Sequence, residues 1–390
     1  MVELADIFRR AGPDYVRTHA GRLLPSHRRA LNDIVQCRTP ALGGSLYRCD
    51  DCGKLQYRYH SCRNRHCPRC QDDRAQQWLE QLRHRLLPSD HYLLTFTLPQ
   101  ELRAIARSHQ RVLYAALLRE AAATVLKLFQ DPNWIGGTPA ILAVLHTWSR
   151  TLEHHPHVHL LVTAGGLASD GSAWIKPAHP RFLLPDYMLS VIFRAKIRHA
   201  IERAGLAAQI DPAVWKRRWR VHVKPIGNGQ HAALYLSRYI YRVALANQRI
   251  EGFQNGRVTF RYTHARTGQT RRLTLPVDLF IARFLQHVLP AGFTKVRSYG
   301  LMSPASKPNL ERARSLLQLH SAQTGVHPDA DAAAPNSSDS APESPIMPDL
   351  ACPICHRGHL QLVEHFPRSR APPLTSTTDR HPLPITPAAA

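Results

Sequence analysis

The sequence predicts an α+β protein with a small cysteine-rich module at its N-terminus and a disordered C-terminal region. Three observations carry this prediction. Residues 88–305 alternate apolar strands with amphipathic helices, and six of the eight cysteines crowd between Cys37 and Cys70. Residues 321–349 are rich in Ala, Pro, Ser and Asp, a composition that cannot bury a core.

The predicted elements of the central region follow from hydrophobic periodicity and breaker residues. Strands are expected at 91–97, 139–147, 156–163, around Trp219–Pro225 and near 293–299, helices at 100–130, 186–205, 229–245 and 277–288, and a hairpin over 257–276 with its turn at Thr267-Gly268.

Five regions are expected from the shifts in composition. They are an N-terminal zinc-binding, DNA-recognition module at 1–87, a catalytic domain at 88–305, a largely disordered linker at 306–349, a small zinc knuckle at 350–365 and a disordered tail at 366–390.

The charge of the chain points to a polyanionic partner. Lys and Arg total 51 against 28 Asp and Glu, which leaves a formal net charge of +23, and most of the basic residues are Arg. Arg binds phosphate and guanine edges bidentately, so nucleic acid is the simplest partner and an acidic-surface metabolic enzyme is disfavoured. The N-terminus lacks a signal-peptide apolar run and no stretch reaches 18 apolar residues, so we expect a cytoplasmic protein without membrane partners.

Two Cys-x-x-Cys pairs predict a structural zinc site. Cys49, Cys52, Cys67 and Cys70 have the spacing of a four-thiolate centre, and four thiolates leave no open position for catalysis. Four other side chains remain nearby: Cys37, Cys62, His60 and His66. They could form a second site, or Cys62 and His66 could replace ligands in the first.

A shorter motif follows the low-complexity stretch. Cys352 and Cys355 form a single Cys-x-x-Cys pair, which His356, His359 or His365 could complete as a zinc site. In the N-terminal module, Arg63, Arg65 and Arg69 alternate with the cysteines, and we expect them to contact DNA.

The segment His154–Val162 reads as a buried strand that carries histidines. Alternate side chains of a strand share a face, so His157 and His159 project together while Val158 faces the core. Two neutral imidazoles on one face can bind a divalent metal ion at neutral pH.

Residues 231–246 predict a helix that carries tyrosines. Tyr235 and Tyr239 are four residues apart and therefore share a face, which Tyr241 does not. Arg238 and Arg242 form a second such pair, expected to contact DNA. A phenol with a pKa near 10 is a poor nucleophile, so attack on a phosphate needs a bound cation that neutralises the phosphate.

Together these features resemble the rolling-circle insertion-sequence transposases, the two-tyrosine branch of the HUH endonuclease superfamily, with an N-terminal transposase zinc-binding domain. The stretches that carry the resemblance are CRTPALGGSLYRCDDCG, SCRNRHCPRCQ, HHPHVHLLVTAGG, YLSRYIYRVALANQRI and FIARFLQHVLPAGFTKVRSYGLMS. The resemblance itself runs from about residue 25 to 305. Ser45 departs from the histidine expected after the glycine pair, which weakens a second zinc site drawing on that loop.

The resemblance implies an HUH-type antiparallel sheet flanked by helices, with the tyrosine helix beside it. His157 and His159 would hold Mg²⁺ or Mn²⁺, with His155 or His146 as a third ligand. Tyr235 or Tyr239 would attack single-stranded DNA at an element end and leave a 5′-phosphotyrosine and a free 3′-hydroxyl. No nucleotide would be needed, and the sequence has no phosphate-binding P-loop motif. The protein would act in the bacterial cytoplasm, in association with the nucleoid.

Two other functions remain open at this point. A plasmid replication initiator or relaxase would use the same chemistry in another genomic setting. A non-enzymatic zinc-module DNA-binding regulator would never become covalently attached to DNA.

Overall fold

The computed structural model describes residues 2–70, 80, 82–179, 182–228, 244–264, 267–324 and 350–369. Its α-helices are α1 Leu4–Thr18, α2 Pro25–Gln36, α3 Arg103–Ser108, α4 Gln110–Gln130, α5 Asp186–Arg203, α6 Val277–Leu285 and α7 Lys307–Thr324. Its strands are β1 Gly44–Cys49, β2 Leu55–Tyr59, β3 His91–Thr97, β4 Gly137–Thr138, β5 Ala140–Trp148, β6 His154–Thr163, β7 Gly166–Ala168, β8 Trp174–Ile175, β9 Val221–Gly227, β10 Ile250–Gln254, β11 Arg257–Thr263, β12 Thr270–Pro276, β13 Val296–Gly300 and β14 Leu360–Phe366.

A five-stranded antiparallel sheet forms the centre of the molecule, in the order β13-β5-β6-β3-β9. The predicted α+β class with antiparallel sheets flanked by helices is confirmed. One predicted helix differs, because the stretch 100–130 is broken at His109 into α3 and α4. His109 has φ −119° and ψ 46°, outside the helical region, so it ends α3 and precedes α4.

One face of the central sheet is covered by α3, α4 and α5. Strand residues of this face alternate with period two and pack as the largest core cluster, for example Phe96, Leu145 and Val158. Phe96 meets Phe193 of α5 edge to face, with ring centroids 4.9 Å apart.

The opposite face of the sheet is covered at one end by α7. Leu310, Ala313 and Leu317 pack with Leu86 and with Leu142 of β5. The linker predicted to begin at 306 is therefore wrong in its first part, since Lys307–Thr324 is helical. Its apolar residues recur at helical spacing, and burying them on the sheet stabilises the helix.

A second core joins the N-terminal helices to a three-stranded sheet of β10, β11 and β12. Phe8 of α1 meets Phe284 of α6 at 5.1 Å between ring centroids, and Cys67 and Cys70 belong to the same cluster. The cysteine-rich module therefore shares a core with residues that follow position 244 in the chain.

The C-terminal strand β14 pairs with β1, at the other end of the sequence. Their sheet has the order β14-β1-β2, and the register runs from Gly44 opposite Phe366 to Cys49 opposite Leu360. The 350–365 knuckle expected from the sequence is thus part of the N-terminal sheet, and the strand continues through Phe366, where the tail was predicted to begin. A side chain at Gly43 would collide with the backbone of Phe366, and one at Gly44 would collide with the backbone of Arg58. Both positions therefore require glycine.

No helix in the described part of the chain has the length and apolar character needed to cross a membrane.

Several histidines are buried away from the candidate sites. Burial lowers the pKa of His91 and His154 to about 4 and that of His287 to about 3. The hydroxyl of Tyr114 lies 2.7 Å from Nε2 of His154. These imidazoles are therefore neutral in the folded protein at neutral pH.

We predict that the fold loses stability as the pH falls from about 6.5 towards 4. A buried neutral imidazole has a folded-state pKa below its unfolded value of about 6.5, so the unfolded chain binds more protons in this window and the free energy of unfolding falls. Thermal unfolding at about pH 7.5, 6 and 5 measures this dependence. His154→Gln should flatten it, whereas replacement of the exposed His199 by Gln should not. An unchanged slope in His154→Gln would contradict the assignment.

Candidate metal centres

Three histidines meet on one face of the central sheet. His146 of β5 lies directly opposite His157 of β6 in the antiparallel register, and His159 follows two residues later on the same strand face. Their ligand nitrogens all lie within 4.8 Å of one another. The sequence placed His157 and His159 on a shared face, and the register adds His146 as a third.

The surroundings of these imidazoles suit metal binding. Burial lowers the pKa of His157 to about 4, so its ring is neutral at physiological pH. The Nδ1–H of His157 donates to the carbonyl of His155 at 2.7 Å, which directs the lone pair of Nε2 away from the strand. Nδ1 of His159 lies 3.0 Å from the hydroxyl of Thr95, and the ring of His146 stacks on Trp148 at 4.8 Å.

His155 lies beside this group but is not part of it. Its Nδ1 lies 2.6 Å from the guanidinium of Arg103, and an imidazole nitrogen facing a guanidinium acts as an acceptor. Burial lowers the pKa of His155 to about 4, with Coulombic contributions from His157 and Arg103. Of the two candidates for the third ligand, His146 is the one that the structure places in the cluster.

A basic row runs along β9, the edge strand next to β3. His222 is opposite Thr95, which is itself opposite His159, so His222 shares the face of the three histidines. Arg220 and Lys224 flank it at period two, and all three side chains are exposed. A phosphate backbone that follows this edge would meet positive charge beside the histidines. This row was not predicted from the sequence, although the alternation Arg-x-His-x-Lys indicates that three basic side chains share one strand face.

Four cysteines form one cluster in the N-terminal module: Cys37, Cys62, Cys67 and Cys70. The sulfur of Cys70 lies 3.4 Å from that of Cys37 and 3.5 Å from that of Cys62. Hydrogen bonding to neighbouring thiols, that of Cys62 foremost, lowers the pKa of Cys37 to about 7.

A second cluster unites Cys49 and Cys52 with Cys352 and Cys355. The expected single centre of Cys49, Cys52, Cys67 and Cys70 is therefore not formed. The four sulfurs are divided between two groups. The pairing of β1 with β14 brings Cys49 and Cys52 to Cys352 and Cys355, whereas Cys67 and Cys70 pack in the second core with Cys37. His60 belongs to neither cluster, and the Nε2 of His66 accepts from the backbone of Leu289 at 3.3 Å.

The arginines of the N-terminal module have different surroundings. Arg65 donates to the carbonyl of Phe293, and Arg69 pairs with Glu3 and donates to the carbonyl of Cys37 at 2.9 Å. Arg65 thus links the N-terminal module to the segment before β13, and Arg69 links the residue before α1 to the residue after α2. Arg63 is exposed, and its contact with DNA stays a prediction.

The tyrosine motif lies outside the described residues. Tyr235, Tyr239 and Tyr241 belong to the segment 229–243, as do Arg238 and Arg242. The described part of the chain stops at Asn228, just after β9, and resumes at Ala244, which packs in the second core.

Two family models match this chain. One described as "Transposase zinc-binding domain" matches residues 7–98, and one described as "Putative transposase" matches residues 140–309. The first contains the cluster of Cys37, Cys62, Cys67 and Cys70, and the second contains the three histidines. Neither extends to Cys352 and Cys355.

Two curated relatives are similar along most of the chain. The "Putative transposase y4qJ" of Sinorhizobium fredii (strain NBRC 101917 / NGR234) is 36% identical over 393 residues, which cover 95% of this chain and 97% of the relative. The transposase for insertion sequence element IS801 of Pseudomonas savastanoi pv. phaseolicola is 30% identical over 290 residues, 69% of this chain and 68% of the relative. No solved structure matches this chain. The chain belongs to the IS91 family of rolling-circle insertion-sequence transposases, which carry an N-terminal zinc-binding domain.

Proposed function

We propose that this transposase nicks and joins single-stranded DNA by attack of a tyrosine on a phosphate held beside His146, His157 and His159. The observation that carries the proposal is the convergence of three buried or half-buried imidazoles on one sheet face, with ligand atoms within 4.8 Å of one another. Three imidazole nitrogens at this spacing fit one divalent cation.

The proposed reaction is the one that the resemblance to the two-tyrosine transposases implies. The phenol oxygen of Tyr235 or Tyr239 attacks phosphorus and loses its proton. The bond from phosphorus to the 3′-oxygen breaks and that oxygen gains a proton, which leaves a 5′-phosphotyrosine and a free 3′-hydroxyl. The energy of the phosphodiester is kept in the tyrosine ester, so a second exchange can join the strand without a nucleotide. A bound Mg²⁺ or Mn²⁺ would act as a Lewis acid that neutralises the phosphate.

The protein contributes position and charge. His146 and His157 lie opposite each other on paired strands, so they form a rigid support. The exposed row of Arg220, His222 and Lys224 is suited to contact the phosphates that flank the scissile one.

The cluster of Cys37, Cys62, Cys67 and Cys70 is proposed to hold the structural zinc of the N-terminal domain. A tetrahedral zinc with four thiolates separates its sulfurs by about 3.8 Å, close to the spacing found here. Because this cluster shares a core with α1, α2 and α6, zinc would fix the DNA-recognition module on the catalytic domain.

We predict that His146→Ala, His157→Ala and His159→Ala each lower metal-dependent cleavage of single-stranded DNA by at least about 100-fold, because each removes one metal ligand. DNA binding should change by less than about threefold. Imidazole nitrogens are softer donors than the oxygens that Mg²⁺ prefers, so Mn²⁺ should support cleavage at lower concentration. Cleavage of a labelled oligonucleotide at varied metal concentration, with binding in parallel, measures both.

His155→Ala is the matched control for this series, since His155 lies on the same strand and contacts Arg103 instead of the cluster. It should retain most cleavage. Loss of activity in His155→Ala with wild-type activity in His146→Ala would show that the third ligand is assigned wrongly, and full activity in excess chelator would exclude the metal.

We also predict that Tyr235→Phe and Tyr239→Phe each impair transposition severely, while only the double variant loses every covalent adduct with single-stranded DNA. Tyr241→Phe should transpose nearly normally, since a helix rotates Tyr241 by about 200° from Tyr239. Denaturing gels of protein incubated with labelled element ends reveal the adduct. Adducts in the double variant, or their loss in Tyr241→Phe alone, would move the nucleophile elsewhere.

The same gels separate the alternative functions. A non-enzymatic regulator would give no adduct with any end sequence. A replication initiator or relaxase would give an adduct with an origin sequence but would not support transposition. The two relatives are named as transposases, which favours the transposase function.

A further inference from the structure

The second cysteine cluster brings together residues that are about three hundred positions apart. Sulfurs of Cys49 and Cys355 lie 3.6 Å apart, and those of Cys52 and Cys352 lie 3.8 Å apart. We propose that these four thiolates bind a second zinc ion, and that this ion fastens the C-terminal segment to the N-terminal zinc-binding domain. The proposal does not rest on the strand-transfer chemistry.

The sulfur spacing fits a metal ion and not a disulfide. Four thiolates around zinc at about 2.3 Å lie about 3.8 Å apart, whereas bonded sulfurs lie about 2.05 Å apart. All four cysteines are free in the structure, and their sulfurs lie within 4.8 Å of one another. A closed set of four thiolates is the donor set of a structural zinc site.

The two Cys-x-x-Cys pairs have similar backbone geometry. The amide of Gly53 donates to the carbonyl of Cys49 at 3.1 Å, and the equivalent amide of His356 donates to that of Cys352 at 3.0 Å. The amide of Cys52 also points to the sulfur of Cys49 at 3.5 Å, and that of Gly358 to the sulfur of Cys355 at 3.4 Å. Amide hydrogen bonds to sulfur stabilise the thiolate form that binds metal. The residue after each pair, Gly53 or His356, has positive φ, at 67° and 58°. Each pair therefore folds as a tight turn around its sulfurs.

The two halves of the site are held against each other by direct contacts. The amide of His359 donates to the carboxylate of Asp50 at 2.7 Å, and the amide of Asp50 donates to the carbonyl of His359 at 3.1 Å. A side-chain carbon on Gly358 would lie 2.6 Å from the sulfur of Cys49, so only glycine allows this approach. The four-cysteine cluster thus forms only when both segments are present.

The histidines proposed from the sequence as ligands for Cys352 and Cys355 do not belong to this cluster. His356 and His359 are exposed and do not belong to the cluster, and Nδ1 of His365 lies 2.7 Å from the hydroxyl of Ser45 on β1. The missing pair of ligands comes from Cys49 and Cys52 instead. A chain that stopped before residue 350 would keep half of the site and would leave one edge of β1 unpaired.

Zinc content measured on the full-length protein, purified under reducing conditions, tests the proposal. Cys352→Ser/Cys355→Ser should lose one zinc per chain relative to wild type. Cys49→Ser/Cys52→Ser should lose the same one, and the quadruple variant should lose no more than either double variant. His356→Ala/His359→Ala is the matched control and should lose none.

Two results of this measurement would overturn the proposal. The first is unchanged zinc content in Cys352→Ser/Cys355→Ser, and the second is a loss of two zinc ions per chain in the quadruple variant. Thiol titration of the unfolded wild type without reductant should find all eight cysteines; a deficit of four would indicate disulfides in place of zinc.

A second measurement uses the wild-type cysteines and so does not depend on the folding of variants. A protease site inserted between residues 325 and 349 allows the chain to be cut, with an affinity tag at the C-terminus. The tagged piece should retain the N-terminal portion in the presence of zinc and release it after treatment with a strong zinc chelator. Release in both conditions, or retention in both, would show that zinc does not fasten the two segments to each other.

Discussion

The antiparallel register between β5 and β6 is the constraint on which the candidate catalytic site depends. It places His146 opposite His157 and Val144 opposite His159, so three imidazoles emerge on one face while Leu145 and Val158 enter the core on the other. A slip of one residue would exchange these faces and bury imidazoles among aliphatic side chains. The helices α3, α4 and α5 therefore hold the register by burying the aliphatic face, opposite the face that carries the three imidazoles.

The sequence predicted the pieces of this sheet better than their arrangement. Strand β3 was predicted with its observed bounds, and the shared face of His157 and His159 followed from the period of a strand. His146 could not be selected over His155 from the sequence, because the choice depends on which residues pair across β5 and β6. The helix α7 was missed because its neighbours in sequence are low in complexity, although Leu310, Ala313 and Leu317 have helical spacing.

The cysteines show a different limit of sequence reasoning. Spacing predicts that Cys-x-x-Cys pairs bind metal, but it does not say which pairs share an ion. Cys67 and Cys70 cluster with Cys37 and Cys62 in the second core. Cys49 and Cys52 cluster with Cys352 and Cys355, which the pairing of β1 with β14 brings to them. The two clusters have different structural consequences. The first lies in the core that α1, α2 and α6 share, and the second lies where the N-terminal sheet meets the C-terminal segment.

We propose that three imidazoles of one sheet face bind a single divalent ion. Pulsed electron paramagnetic resonance of the full-length protein loaded with Mn²⁺ measures this binding, because directly bound imidazole nitrogens modulate the manganese signal. We expect nitrogen couplings from three imidazoles in the wild-type protein and from two in His146→Ala. A manganese signal without nitrogen couplings, or one that His146→Ala leaves unchanged, would exclude His146 and its neighbours as the ligands.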